Sequence, residues 1–184
     1  MTTILYKKWK YIAADKRWVG WEVWWTDGNT KIFHLPGDNY HIYLLNSGIK
    51  QMPEKIDQLL RKYFEKSFDP CSLFNLQEDL KITQQWHDFA CLVVYVELSW
   101  KDVDDNPFGP PTRISTIVKD RAWKLWREAC EEINFHYAAW WSWSDWVDGI
   151  MLMNPDIEVG DLFELVASKD LYTSPTFDSI NFSI

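Results

Sequence analysis

Glycine is scarce in this chain. There are seven in 184 residues, and they never fall in the order GxGxxG or GxxxxGK[ST]. A phosphate cradle built from a glycine-rich loop is therefore not expected. No GxSxG elbow and no HExxH pair occurs either, which removes two common hydrolase signatures. The three cysteines, Cys71, Cys91 and Cys130, lie far apart and form no CxxC pair, so the usual zinc spacing is missing. Their odd number, with no apolar leader at the N-terminus, predicts reduced thiols and a cytoplasmic location. No apolar run approaches the roughly 20 residues that a membrane-crossing helix needs. Basic side chains are outnumbered 19 to 27, for a net charge of -8, and that argues against a large nucleic-acid surface.

Tryptophan is abundant instead, with 13 in all. Trp18, Trp21, Trp24 and Trp25 crowd one stretch; Trp140, Trp141, Trp143 and Trp146 crowd another. An indole buries a large apolar area and keeps one N–H donor, so it suits a core, a stacking platform or a partner interface. Charge is uneven too. Residues 1–20 carry five Lys or Arg against one Asp, and residues 140–184 carry eight carboxylates against one lysine. An acidic end of this kind attracts basic partners and repels phosphate backbones. Lys7, Lys8, Trp9, Lys10 and Tyr11 interleave bases with aromatics, a pattern that binds single-stranded nucleic acid elsewhere. The overall acidity favours reading them as a charged first strand.

The apolar pattern predicts one α+β domain over residues 1–184, with an antiparallel-rich sheet and two to four helices. Trp18–Trp25 and Thr30–Leu35, separated by Thr-Asp-Gly-Asn, read as a tryptophan-rich hairpin. Tyr40–Leu45 reads as a third strand. Pro53 opens a helix whose apolar stripe is Ile56, Leu59, Leu60, Tyr63 and Phe64. Leu73, Leu76 and Leu80 mark a second helix. Phe89–Leu98 is a continuous apolar run, as in a central strand covered on both faces. The longest helix is expected over about 113–139, capped by Thr112. Ile150–Met153 reads as a strand, Asp161–Ser168 as a short helix, and the tail 172–184 as extended or loosely ordered.

Several constellations bear on chemistry. His34, Asp38 and His41 flank a Pro-Gly turn, and two imidazoles with a carboxylate would suit a divalent ion. The spacing matches no known metal signature, so no metal or other cofactor is expected. Cys91 follows His87 closely, but an apolar run around the thiol predicts burial, a raised pKa and no nucleophilic role. The acidic loop around Asp102, Asp104, Asp105 and Asn106 lacks the Gly and Glu of a calcium loop.

The expected function is non-enzymatic. An acidic protein of the immunity-protein, toxin-antagonist or phage-inhibitor kind would occlude a basic site on a protein partner. Trp140, Trp141, Trp143 and Trp146 would anchor it, and Asp145 and Asp148 would steer and pair. Two alternatives stand beside it. One is a small-molecule or carbohydrate binder stacking its ligand on Trp21, Trp24, Trp25 and Tyr40. The other is a small metal-dependent enzyme at His34, Asp38 and His41.

Overall fold

The computed structural model describes residues 3–18, 26–27, 30–47, 53–83, 90–103, 112–126, 128–140, 144–169 and 173–182. Two antiparallel sheets stack face to face, each covered on its outer face by a pair of helices. The first sheet holds β1 (Ile4–Lys7), β2 (Tyr11–Asp15), β10 (Tyr137–Trp140) and β11 (Phe177–Asn181), in the order β10-β1-β2-β11. The second holds β5 (Ile32–Pro36), β6 (Tyr40–Ser47), β7 (Ala90–Val103), β8 (Thr112–Trp126) and β9 (Ala129–Glu132), in chain order. A two-stranded ribbon, β3 (Arg17–Trp18) with β4 (Thr26–Asp27), stands apart. The α+β class expected from the sequence is the class observed.

Three apolar layers hold this arrangement together. Helices α1 (Pro53–Phe64) and α2 (Ser72–Thr83) bury Ile56, Leu60, Phe64, Leu73, Leu76 and Leu80 against Ile42, Leu44, Val93 and Leu125. Between the sheets, Ile4, Tyr6 and Ile12 meet Leu45, Leu92, Val94 and Ala122. Helices α3 (Ser144–Met153) and α4 (Val159–Ala167) cover the far face of the first sheet through Val147, Met151, Leu162, Phe163 and Val166. Strand β7 is buried on both faces: Cys91 and Val93 join the outer layer, Leu92, Val94 and Val96 the inner one. That double cover explains its unbroken apolar run. Gly37 is required where the β5–β6 turn passes under Tyr40, because a Cβ there would lie 2.6 Å from the phenol ring.

Three expectations need correction, and the tail, expected as extended or loosely ordered, is extended. The long helix over 113–139 is absent: that segment forms β8, β9 and β10. Its apolar residues satisfy a helical stripe, but Thr112, Ile114, Thr116, Ile117 and Val118 are β-branched. Fourteen register pairs with β7 settle the matter in favour of strand. The return strand of the tryptophan-rich hairpin is also different. Trp18 pairs with Thr26, and Ile32–Pro36 pairs with β6, because Ile32 and Leu35 gain more burial beside Leu45 and Ile42. Residues Ile150–Met153, expected as a strand, are the end of helix α3. In the tail, Phe177–Asn181 is an ordered strand paired with β2, where Ile180 packs into the layer between the sheets.

The β1–β2 turn is tight. Trp9 takes a left-handed φ of 62°, and its N–H donates to the buried Asp120 Oδ2 at 2.7 Å, which also accepts the Tyr6 hydroxyl at 3.0 Å. This carboxylate, on β8, ties the two sheets together at the end remote from Thr3.

Candidate functional site

The other end of the first sheet carries the most unusual chemistry in the molecule. Apolar β2 ends in Asp15, and a lysine, Lys31, stands immediately before apolar β5. Both side chains are fully buried, and Lys31 Nζ lies 3.0 Å from Asp15 Oδ1. Lys31 also donates to the Arg17 carbonyl at 2.5 Å. Asp15 Oδ1 accepts the Arg17 N–H at 2.8 Å, and its other oxygen accepts the Thr3 N–H. Burial pushes the Asp15 carboxyl above the usual carboxylate range; the Lys31 ammonium and the amides of Thr3 and Arg17 pull it back. Burying two charges costs more than a surface pair returns, so such a pair is weak as a stability device. Titratable groups held in this way mark functional sites more often than chance.

Thr3 is held on every side. Its carbonyl accepts the Asp15 N–H at 3.0 Å, and its hydroxyl lies 2.7 Å from that of Thr173. Thr173 and Ser174 are buried just ahead of β11. The Ser174 hydroxyl bonds that of Thr176 at 2.6 Å, and the Thr176 carbonyl accepts the Lys16 N–H at 3.0 Å. On the β6 side, the Asn46 N–H donates to the Lys31 carbonyl at 3.0 Å, and the Cys91 thiol donates to the Asn46 side chain at 3.4 Å. Segments 3, 15–17, 31, 46 and 173–176 thus converge on one buried polar cluster. Thr173→Val leaves the Thr3 hydroxyl without this partner and is expected to cost about 1–3 kcal/mol. Thr173→Ser should recover most of that loss, as read from urea unfolding midpoints.

The sequence-predicted residues fall elsewhere or only partly within the described chain. Trp21, Trp24, Trp25, Trp141 and Trp143 lie outside the described residues. Trp140 ends β10 in register with Ile4, while Asp145 and Trp146 belong to α3. Asp148 is exposed and lines a cavity of about 430 Å³ with Glu131, Glu132, Phe135, His136 and Tyr137. The Tyr40 hydroxyl donates to the Phe64 carbonyl at 2.7 Å, and its ring packs beside Tyr95. Cys91 is buried, with its pKa pushed up to about 12, as its apolar run predicts.

His34 and His41 do come together, Nε2 to Nδ1 at 2.7 Å. Asp38 does not complete a triad. Among the described residues, no three His, Cys, Asp or Glu side chains are grouped to hold an ion. Burial lowers both imidazole pKa values, and each proton on His41 further disfavours one on His34. The folded values lie below the ordinary 6.5, so the unfolded chain binds more protons in that window. Stability should rise with pH up to about 6.5 and be lost as pH falls through the lower folded values. His34→Gln/His41→Gln should flatten that dependence, as read from thermal melts between pH 5 and 7.

Sequence reasoning missed the Asp15–Lys31 cluster. The available signal was a lone acid closing one apolar strand and a lone lysine opening another, with consecutive threonines Thr2 and Thr3 near the start.

Two layers of antiparallel sheet between two layers of helix make a four-layer α/β sandwich. No protein-family model matches the chain, and no curated protein matches it in sequence. Solved structures match it in shape. Anbu, an ancestral β-subunit from Yersinia bercovieri, aligns with a TM-score of 0.65 at 11% identity, over 98% of this chain and 81% of that one. The Anbu complex from Pseudomonas aeruginosa, a helical assembly, gives 0.63 at 10% identity, over 98% and 80%. Eukaryotic HslV from Trypanosoma brucei gives 0.57 at 10%, over 97% and 98%. At these identities the likeness is one of fold. Among the described residues, no helix is long and apolar enough to cross a membrane.

Proposed function

We propose that this chain is an amide-bond hydrolase whose nucleophile is the hydroxyl of Thr2, acting as an N-terminal residue once Met1 is removed. The observation that carries this reading is the buried Lys31–Asp15 pair clamped onto Thr3. Thr2 is one Cα step, about 3.8 Å, from Thr3. A threonine hydroxyl is a weak nucleophile unless an adjacent base takes its proton, and a free terminal amine is such a base. A buried ammonium nearby lowers the pKa of both the hydroxyl and the amine, which favours this transfer at neutral pH.

The reaction balances as follows. The Thr2 oxygen attacks the amide carbon while its proton passes to the Thr2 amine. The tetrahedral adduct collapses, and the leaving amine takes that proton. An ester to Thr2 remains; water, deprotonated by the same amine, hydrolyses it and releases a carboxylic acid. Asp15 orients and partly neutralises Lys31, and Thr173 holds Thr3, the residue bonded to Thr2. These are positioning roles.

Two measurements test this. Intact-mass analysis of the protein from its native source should show Met1 absent. An electrophilic peptide boronate or β-lactone should form an adduct that maps to Thr2 and is lost in Thr2→Ala. Retention of Met1, or peptide hydrolysis that survives Thr2→Ala, overturns the reading.

A second reading keeps a binding role toward a basic partner. It is supported by the cavity lined by Glu131, Glu132 and Asp148 and by Leu152 and Met153, exposed at the end of α3. Under it, Asp148→Asn weakens capture of the partner at low salt and Thr2→Ala does not.

A further inference from the structure

We propose that His34 and His41 form a two-imidazole site for a late divalent transition metal, copper(II) foremost, at the margin of the layer between the sheets. The two residues sit on neighbouring strands with His34 in register with Tyr43 and His41 with Pro36. Alternation along both strands points them, with Tyr43, toward the first sheet. Tyr43 packs against Phe182 of that sheet, which walls the inner side with apolar surface while His34 stays open to solvent.

The rings lie within 14° of a common orientation with centroids 4.8 Å apart, and their facing nitrogens are 2.7 Å apart. Two nitrogens bound at about 2.0–2.1 Å stand roughly 2.9–3.3 Å apart around a shared ion, so the pair must open slightly and each ring must turn its lone pair off the line between the nitrogens. Imidazole donors suit copper, nickel and zinc, and the affinity order places copper(II) first.

Proton balance permits the exchange. One ring N–H now bridges the two nitrogens. The metal takes its place, and the donor ring carries its proton on its other nitrogen, so both imidazoles remain neutral and no net proton is released. The Tyr43 hydroxyl lies 3.3 Å from the same His41 nitrogen. Water completes the coordination.

Copper tops the affinity order for almost any nitrogen site, so the histidine variants are the comparison that tests the site. The probes are the chloride salts of copper(II), nickel(II) and zinc(II), titrated calorimetrically into the full chain carrying Cys71→Ser, which removes the exposed thiol. One copper per chain is expected, with two-nitrogen hyperfine structure in its paramagnetic resonance spectrum. His34→Gln or His41→Gln should weaken binding by at least about tenfold, while Tyr43→Phe keeps it within that factor. Copper should also shield both histidines of the unmutated pair from diethyl pyrocarbonate, a readout that does not depend on the variants folding. Undiminished copper affinity in the double Gln variant, or no shielding of either histidine, overturns the proposal.

Discussion

Replacing Lys31 by Met should lower stability by about 3–5 kcal/mol, because it leaves the Asp15 carboxylate buried without its counter-charge. Domains of ordinary stability have only about 5–15 kcal/mol in all, so the variant should melt roughly 6–20 °C lower. Methionine fills most of the volume of the lysine stem, which keeps the loss electrostatic. The pH dependence identifies the cause. The Asp15 carboxyl is already raised above its ordinary 3.8 by burial, and without Lys31 it rises further. The folded state then binds a proton more readily than the unfolded one, so this penalty is full above the folded value and disappears below it. The deficit against the unmutated protein should therefore shrink as pH falls from 7 toward 4. Asp15→Asn combined with Lys31→Met removes the unpaired charge and should recover part of the stability at pH 7, while under the proposed function peptide hydrolysis stays absent. Urea unfolding across pH, with a peptide hydrolysis assay beside it, separates the two roles. Equal destabilisation at every pH would show that the loss is one of packing.

Phe64→Ala should cost about 3–5 kcal/mol without touching the chemistry. Phe64 is fully buried at the end of α1, with the Phe68 ring 5.3 Å away. It lies in the layer that seals the second sheet, and its carbonyl anchors the Tyr40 hydroxyl. Truncation leaves a cavity among Leu60, Leu76 and Val93, which α1 and α2 hold open. The exposed Phe74 of α2 serves as the contrast, since Phe74→Ser should shift stability by no more than about 0.5 kcal/mol. Guanidinium unfolding reads both. A loss below about 1 kcal/mol at Phe64 would mean that the helical layer collapses onto the gap.

The elements legible in the sequence are those whose cause is local. Pro53 and the Ile56–Leu60–Phe64 stripe specify α1 wherever it packs. The run from Ala90 to Val96 can only be buried on both faces. The burial of Cys91 follows from that run alone. The α+β class follows from the mixture of such signals. The paired tryptophan clusters were visible as composition, but their place in the fold was not. Trp18 follows Asp15 by three residues and Trp140 pairs with Ile4, so these two tryptophans lie near the end of the first sheet that carries Thr3.

Tertiary structure decided the rest, because the deciding contacts join residues far apart in sequence. The segment Thr112–Trp126 has apolar residues that fit a helix or a strand; its pairing with β7 made it a strand. His34 and His41 met because their strands are neighbours, and Asp38 stayed on the exposed turn between them. Lys31 reads in sequence as an ordinary charge at the start of a strand. It is a buried cation only because Asp15, 16 residues earlier, ends the strand beneath it, and because Thr3 and Thr173 close the same cluster. Local propensity acts over a few residues. The desolvation that gives Lys31 and Asp15 their chemistry exists only once both sheets have closed over them.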